Sequence, residues 1–248
     1  MSRPVRRRDQ AGITLLEVLV AVTLLSILST GVLVSMGSGL SAMSRTRERL
    51  MENRRIVGAQ RILDSQIQGF IPAIALCSPG DDQPRTKLPF FQGEPQSMRF
   101  VSAYSLQEAW RGYPRILEYL VIPKPDGNGV RLVVNELLYA GPLTTGSLCL
   151  GRAPDPALGM EMTRFRPIQV GPGSFVLADN LAYCRFSYQE VLPQAPYARW
   201  LPAWSQVLWP RAIRIEMAPI EANLAKVSPL TVTAPMRVDR FPIFDYVD

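Results

Sequence analysis

Histidine is absent from the 248 residues. This excludes Ser-His-Asp and Cys-His nucleophilic catalysis, imidazole metal ligands, and the side chain whose charge ordinarily changes near neutral pH. Carboxylate chemistry stays open, with Asp81, Asp82 and Glu216 as the candidates. Nothing in the sequence brings these three together, and adjacent aspartates read as a solvated turn. Cysteine is scarce. Cys77, Cys149 and Cys184 fit no zinc or redox spacing. Outside the cytoplasm they allow one disulfide and one free thiol, in any of three pairings. Proline is missing between Pro4 and Pro72, although the chain holds 22 prolines. Internal repeats and low-complexity tracts are also lacking.

Charge is nearly missing from one long stretch. Ile13 to Met36 is 24 residues of mostly Leu, Val, Ile, Ala, Thr and Ser, with Glu17 as its single ionisable group. This is long enough to span a hydrocarbon core, which needs about 20 apolar residues. A secretory signal has a shorter apolar core and small residues at a cleavage site after it. Here the small residue, Gly12, comes before the run. The leader ahead of it holds Arg3, Arg6, Arg7, Arg8 and Asp9, a net +3, which leaves +3 of the total +6 for the rest of the chain. The leader arginines place the N-terminus in the cytoplasm by the positive-inside rule, which Arg45, Arg47 and Arg49 beyond the span blunt without reversing. No nucleic-acid motif accompanies the arginines elsewhere.

Helical periodicity continues past the span. Met43, Leu50 and Val57 recur at heptad spacing, and Ile56, Leu63 and Ile67 form an adjoining stripe. Arg45, Glu48, Arg49, Glu52 and Arg55 occupy much of the other face and can pair at three- and four-residue spacing. The expected helix runs from Ile13 to Gln68, stopped by Gly69 and Pro72. Such a helix is roughly 80 Å long. Gly31, Gly37 and Gly39 weaken it near the membrane boundary.

A carboxylate in an apolar span costs roughly 2.5–3.5 kcal/mol on insertion scales, so Glu17 is a functional residue by default. The run Gln10-Ala-Gly-Ile-Thr-Leu-Leu-Glu-Val-Leu-Val20 places it five residues after Gly12. This pattern resembles the N-terminus of type IV prepilins and type II secretion pseudopilins. The resemblance implies cleavage between Gly12 and Ile13 by a prepilin peptidase that also methylates the new Ile13 amine. It further implies that this amine is buried in a filament beside a neighbouring subunit's glutamate. Opposite charges at low dielectric tolerate burial only as a pair, so Glu17 would set the register of assembly. The competing reading is a plain signal anchor whose Glu17 faces a membrane partner.

Beyond Gly69, proline and glycine become frequent and short apolar runs alternate with turns. The expected strands are Ser97–Tyr104, Arg115–Ile122, Val130–Tyr139, Phe175–Leu177, Ala182–Gln189, Arg211–Met217 and Leu230–Val238. Pro123-Lys-Pro-Asp-Gly-Asn-Gly129 reads as a hairpin loop. A calcium loop at Asp126 and Asn128 lacks the further carboxylates it needs. Cys149–Met162 and Glu190–Trp209 read as long loops. The second contains Trp200, Trp204 and Trp209, which are either interface anchors or packing on the domain's own sheet.

Leu181-Ala-Tyr-Cys-Arg-Phe-Ser-Tyr-Gln189, Trp204, and Leu208-Trp-Pro-Arg-Ala-Ile-Arg-Ile-Glu-Met217 together resemble the closing hairpin of the J-type minor pseudopilin. In that subunit a Phe/Tyr strand leads through a Trp loop to Leu-Pro-x-Ala-Val-Arg. Here Trp209 interrupts Leu208 and Pro210, and Ile213 stands for the valine. The W-type minor pilin of type IV pili is similar. Residues 70–175 carry no recognisable family motif.

The expected fold is α+β and pilin-like. It has a leader at 1–12, a long helix at 13–68 that crosses the membrane over 13–36, and an antiparallel β-rich periplasmic domain at 69–248. The resemblance implies a minor filament subunit in the inner membrane and then in a periplasmic filament. Its implied partners are the prepilin peptidase/N-methyltransferase, other minor and major pseudopilins or pilins, and the inner-membrane assembly platform. Domain size and the proline-free span argue against a major subunit. No cofactor, metal, catalytic centre or nucleic-acid partner is expected, although a DNA-uptake filament and a signal-anchored enzyme remain as alternatives.

Overall fold

The computed structural model describes residues 14–78, 85–106, 110–154, 159, 161–206, 208–220 and 230–236. The chain divides into two compact units, Met1–Glu52 and Asn53–Asp248.

The described part of the first unit is helical. Helix α1 starts at Leu15, continues through Gly31, Gly37 and Gly39, and ends at Gln68 in the second unit. Its Leu15–Ser44 part is long and apolar enough to cross a membrane, and Leu16, Leu25, Ile27 and Leu33 are exposed along it. This apolar part extends past Met36. Several hydroxyls in it are turned back onto the helix. Thr23 donates to the Val20 carbonyl, Ser26 to Val22 and Thr30 to Ser26, each at 2.8 Å, and Ser41 donates to Gly37 at 2.9 Å. These four side chains thus donate their hydroxyl hydrogens without water.

The second unit is an antiparallel α+β domain. Its strands are β1 (Phe70–Ile71), β2 (Ile74–Cys77), β3 (Thr86–Pro89), β4 (Gln92–Gly93), β5 (Ser97–Ser105), β6 (Trp110–Pro123) and β7 (Val130–Leu138). The short helix α2 (Pro142–Gly146) follows, then β8 (Cys149–Pro154), β9 (Glu161–Phe165), β10 (Phe175–Val191), β11 (Ala198–Leu201), β12 (Ala212–Pro219) and β13 (Leu230–Pro235). The main sheet runs β1-β5-β6-β7-β10-β12-β13, with β4 on β5 and β11 on β10. Two hairpins, β2–β3 and β8–β9, lie outside it.

Both faces of the sheet centre are covered. Phe100, Leu117, Tyr119, Val134, Phe186 and Ile215 point to one face, where Leu63 and Ile67 of α1 join their cluster. Val101 and Ile116 point to the other, where Ala75, Cys77, Phe90, Cys149 and Phe165 cover them. Strand alternation sends neighbouring residues to opposite faces, so β5 is buried almost throughout rather than at every second residue. Phe100 and Tyr119 stack at 5.9 Å, and Phe186 meets Tyr119 edge-on at 6.4 Å. Gly69 ends α1 where the chain passes β5 closely; a Cβ there would lie 2.7 Å from the Ser102 hydroxyl.

Several elements differ from expectation. The two short strands expected at 175–177 and 182–189 are one strand, β10, with register shifts near Ala178 and Leu181. Asp179-Asn180, with Asn180 at φ 56°, is a bulge that keeps the ladder running. The expected loop over 149–162 contains β8 and the start of β9, paired with a shift at Gly151, whose φ is 94°. The expected loop over 190–209 contains β11, which returns along the end of β10. Leu63 and Ile67 of the predicted stripe are fully buried, whereas Met43 is exposed in the first unit. The side chains of Leu50, Ile56 and Val57 lie outside the described residues, as do residues 237 and 238 at the end of the expected last strand.

Candidate functional site

Gly12 and Ile13 lie outside the described residues. Thr14 is the first residue in place, and Glu17 sits in the first turn of α1 with its side chain exposed. The Glu17 N–H donates to the Thr14 carbonyl at 3.0 Å and reaches the Thr14 hydroxyl at 3.4 Å. Thr14-Leu-Leu-Glu17 therefore has the Thr-x-x-Glu form of a capping box. Threonine caps a helix start by accepting from the third N–H, and a carboxylate in the first turn is favoured by the helix dipole. The local structure thus gives Thr14 a role at the helix start. It leaves the Glu17 carboxylate displayed beside the apolar side chains of Leu16 and Val18.

The chain carries a prokaryotic N-terminal methylation motif, matched over residues 7–33. The motif supports a place in the type IV pilin/pseudopilin superfamily, with processing by a prepilin peptidase and assembly with other pilins. It spans Gly12, Ile13 and Glu17 together. A search of curated proteins found no match. The Leu15–Ser44 helix is typical of pilin membrane anchors and suggests a single-pass inner-membrane protein.

The other predicted positions lie in the second unit. Trp204 is buried, pairs through its backbone N–H with the Gly93 carbonyl at 2.8 Å, and donates its indole N–H to Leu208 at 2.7 Å. Trp209 meets Phe70 edge-on at 5.9 Å. Trp200 lies under the Arg214 guanidinium, 3.9 Å from the ring centroid. Cys77 and Cys149 form a disulfide that joins β2 to β8 with a Cα separation of 5.3 Å. Cys184 is free and buried, and its burial pushes the thiol pKa up to about 12. Asp126 uses both carboxylate oxygens within its own turn. One accepts the Asn128 N–H at 3.1 Å and the other meets the Lys124 ammonium at 2.9 Å. Lys124 chiefly, and then the Asn128 N–H, hold its pKa below the usual carboxylate value. Among the described residues no group of three or more Cys, Asp or Glu is arranged to hold a metal. Glu216 faces away from the α1 side of the sheet, opposite Arg185 in register. Asp81 and Asp82 lie outside the described residues.

Two buried polar clusters escaped the sequence reading. Arg99 and Glu118 are cross-strand partners on β5 and β6, 2.7 Å apart, with side chains 1% and 7% exposed. Gln92, the Arg166 carbonyl and Asn135 complete their hydrogen bonds. Desolvation lowers the Arg99 pKa, and Glu118 opposes that shift. On the α1 side, Gln66 donates to Glu136 at 3.1 Å and accepts the buried Tyr119 hydroxyl. Glu136 also accepts from the Ser105 hydroxyl at 2.9 Å and the Leu106 N–H at 2.6 Å. A glutamine amid the Leu63 and Ile67 stripe was the available signal. Its partners, 53 and 70 residues away, were not visible locally.

Proposed function

We propose that this chain is a minor pseudopilin of a type II secretion system, which acts by assembly rather than by catalysis. Prepilin peptidase cuts after Gly12 and methylates Ile13. The subunit then enters the periplasmic pseudopilus at or near its tip, with its β-rich domain on the periplasmic side. The observation that carries the reading is the methylation motif over 7–33 with Glu17 five residues past Gly12. The large β domain and the proline-free span support a minor rather than a major subunit. The Phe186/Tyr188 strand, the Trp204 loop and the Pro210–Met217 segment support a J-type minor pseudopilin, with the similar W-type minor pilin as the alternative. The Cys77–Cys149 disulfide fits an oxidising compartment. Within the filament, Glu17 pairs with the Ile13 amine of a neighbour, because an isolated charge there would be left buried and uncompensated.

The test is N-terminal sequencing and intact mass of the protein from membranes with and without prepilin peptidase. A peptidase-dependent, methylated Ile13 start is expected. Gly12→Val should block the cut, and Glu17→Leu should be cut normally yet fail to enter filaments. Normal incorporation of Glu17→Leu would refute the pairing. Co-purification with pseudopilins, rather than with pilins of a type IV pilus or DNA-uptake filament, decides the system. An intact Met1 would restore the signal-anchored reading, and a cut after the apolar run would mean a secreted protein.

A further inference from the structure

Strand β13 ends the main sheet, and its outer edge is a row of main-chain groups. The phase of the β12–β13 ladder fixes which residues these are. The Met236 N–H donates to the Arg211 carbonyl at 2.8 Å, and Ile213↔Ala234 and Ile215↔Val232 are register partners. In an antiparallel ladder alternate residues bond to the neighbour, so Val232, Ala234 and Met236 turn their N–H and C=O groups toward β12. Thr231 and Thr233 therefore turn theirs outward, where no described residue bonds to them. Pro235, also outward, has no N–H and ends the usable edge. The flank of α1 runs beside this edge. Gln60, Arg61 and Asp64 with Thr231, Val232 and Thr233 line an open groove of about 610 Å³. Asp64 accepts the Gln68 amide at 2.7 Å on one oxygen, Arg61 is exposed, and neither forms an ion pair with any described residue.

We propose that this edge and groove receive an extended segment of a neighbouring filament subunit, added as a strand to β13 and carrying an acidic side chain that meets Arg61. Main-chain pairing at Thr231 and Thr233 gives the affinity, and alternate side chains of the guest entering the groove give the choice of partner. An edge that no described residue covers otherwise invites uncontrolled association. The inference rests on the filament-subunit reading.

The experiment compares amide hydrogen exchange at Thr231 and Thr233 in two samples of the full chain. One is the chain alone in detergent, and the other is the chain in complexes co-purified from cells that express its partner subunits. Fast exchange alone and at least about tenfold slower exchange in the complex are expected. Thr233→Pro removes one outward N–H and leaves the β12 ladder intact. It should abolish the slowing and loosen the complex while the tryptophan emission of the fold is unchanged. Arg61→Glu, which alters no strand, should weaken the complex in the same direction. Slow exchange in the isolated chain would overturn the proposal by assigning the edge to another segment of the same chain. So would complexes that form equally well with both variants, which would leave the filament reading standing. A chain that is neither processed at Gly12 nor found in any subunit complex removes the proposed guest and refutes both.

Discussion

Single residues carry much of the stability of the β domain, and their chemistry predicts how it fails at high pH. Tyr119 and Tyr188 are fully buried, and desolvation raises both phenol pKa values well above normal. Burial does the same to Cys184, up to about 12. Each group is neutral when protonated, so the unfolded chain releases these protons at a lower pH than the folded one. Stability is therefore unaffected below the ordinary thiol pKa and falls as pH rises from about 8.5, first through Cys184 and then through the tyrosines. Each fully linked group costs about 1.4 kcal/mol per pH unit within its window. Urea unfolding between pH 8 and 11 should show a falling midpoint, and Cys184→Ala should remove the earliest part of the fall. Gly129 gives a second residue-scale prediction. Its φ is +87°, and an added Cβ would lie 2.4 Å from the Leu181 carbonyl oxygen. Gly129→Ala should cost about 2 kcal/mol or more, whereas Gly127→Ala, with positive φ but open space, should cost about 1. Equal losses in thermal melts would contradict the clash.

At the scale of elements, legibility followed burial pattern and length. The central strands β5, β6, β7 and β12 were readable because each is a run of eight or more residues rich in branched and aromatic side chains. Strands β1 and β4 have two residues each, too few for any period to show. Strand β10 read as two pieces because Asp179-Asn180 has turn chemistry, and only the pairing with β7 and β12 shows that the turn is a bulge. In the candidate site, Glu17 was legible because a carboxylate in an apolar span is conspicuous. Arg99 and Glu118 were not, since charged residues in strands ordinarily face water and only the register brings them together. Their burial predicts an asymmetric result. Arg99→Met should destabilise by roughly 3–5 kcal/mol, because it leaves Glu118 buried and uncompensated, whereas Arg99→Met with Glu118→Leu should recover much of that loss. A double-mutant cycle in urea measures both.

At the scale of the whole molecule, the layers are fastened unequally. The α1 side of the sheet is held by a large aromatic and aliphatic cluster. The far side has fewer buried residues and relies on Cys77–Cys149, which closes a loop between positions 72 apart in sequence. Chain-entropy arguments put the worth of such a link at roughly 4 kcal/mol. Reduction, or Cys77→Ser with Cys149→Ser, should lower the unfolding midpoint by that order, and the β2–β3 and β8–β9 hairpins should be the first to exchange their amides. Uniform exchange across the main sheet and the hairpins would show that the two layers do not differ in this way.

The back-bonded hydroxyls of α1 have a consequence for transfer between environments. Thr23, Ser26, Thr30 and Ser41 satisfy themselves on carbonyls three or four residues behind, so none of them depends on what surrounds the helix. Moving this segment from lipid into a packed protein interior exchanges one apolar medium for another and requires none of these four hydroxyls to change partner. The polarity of these four residues is therefore invisible from outside. Glu17 carries a charge that no neighbouring backbone can cancel, and it can tell the two media apart.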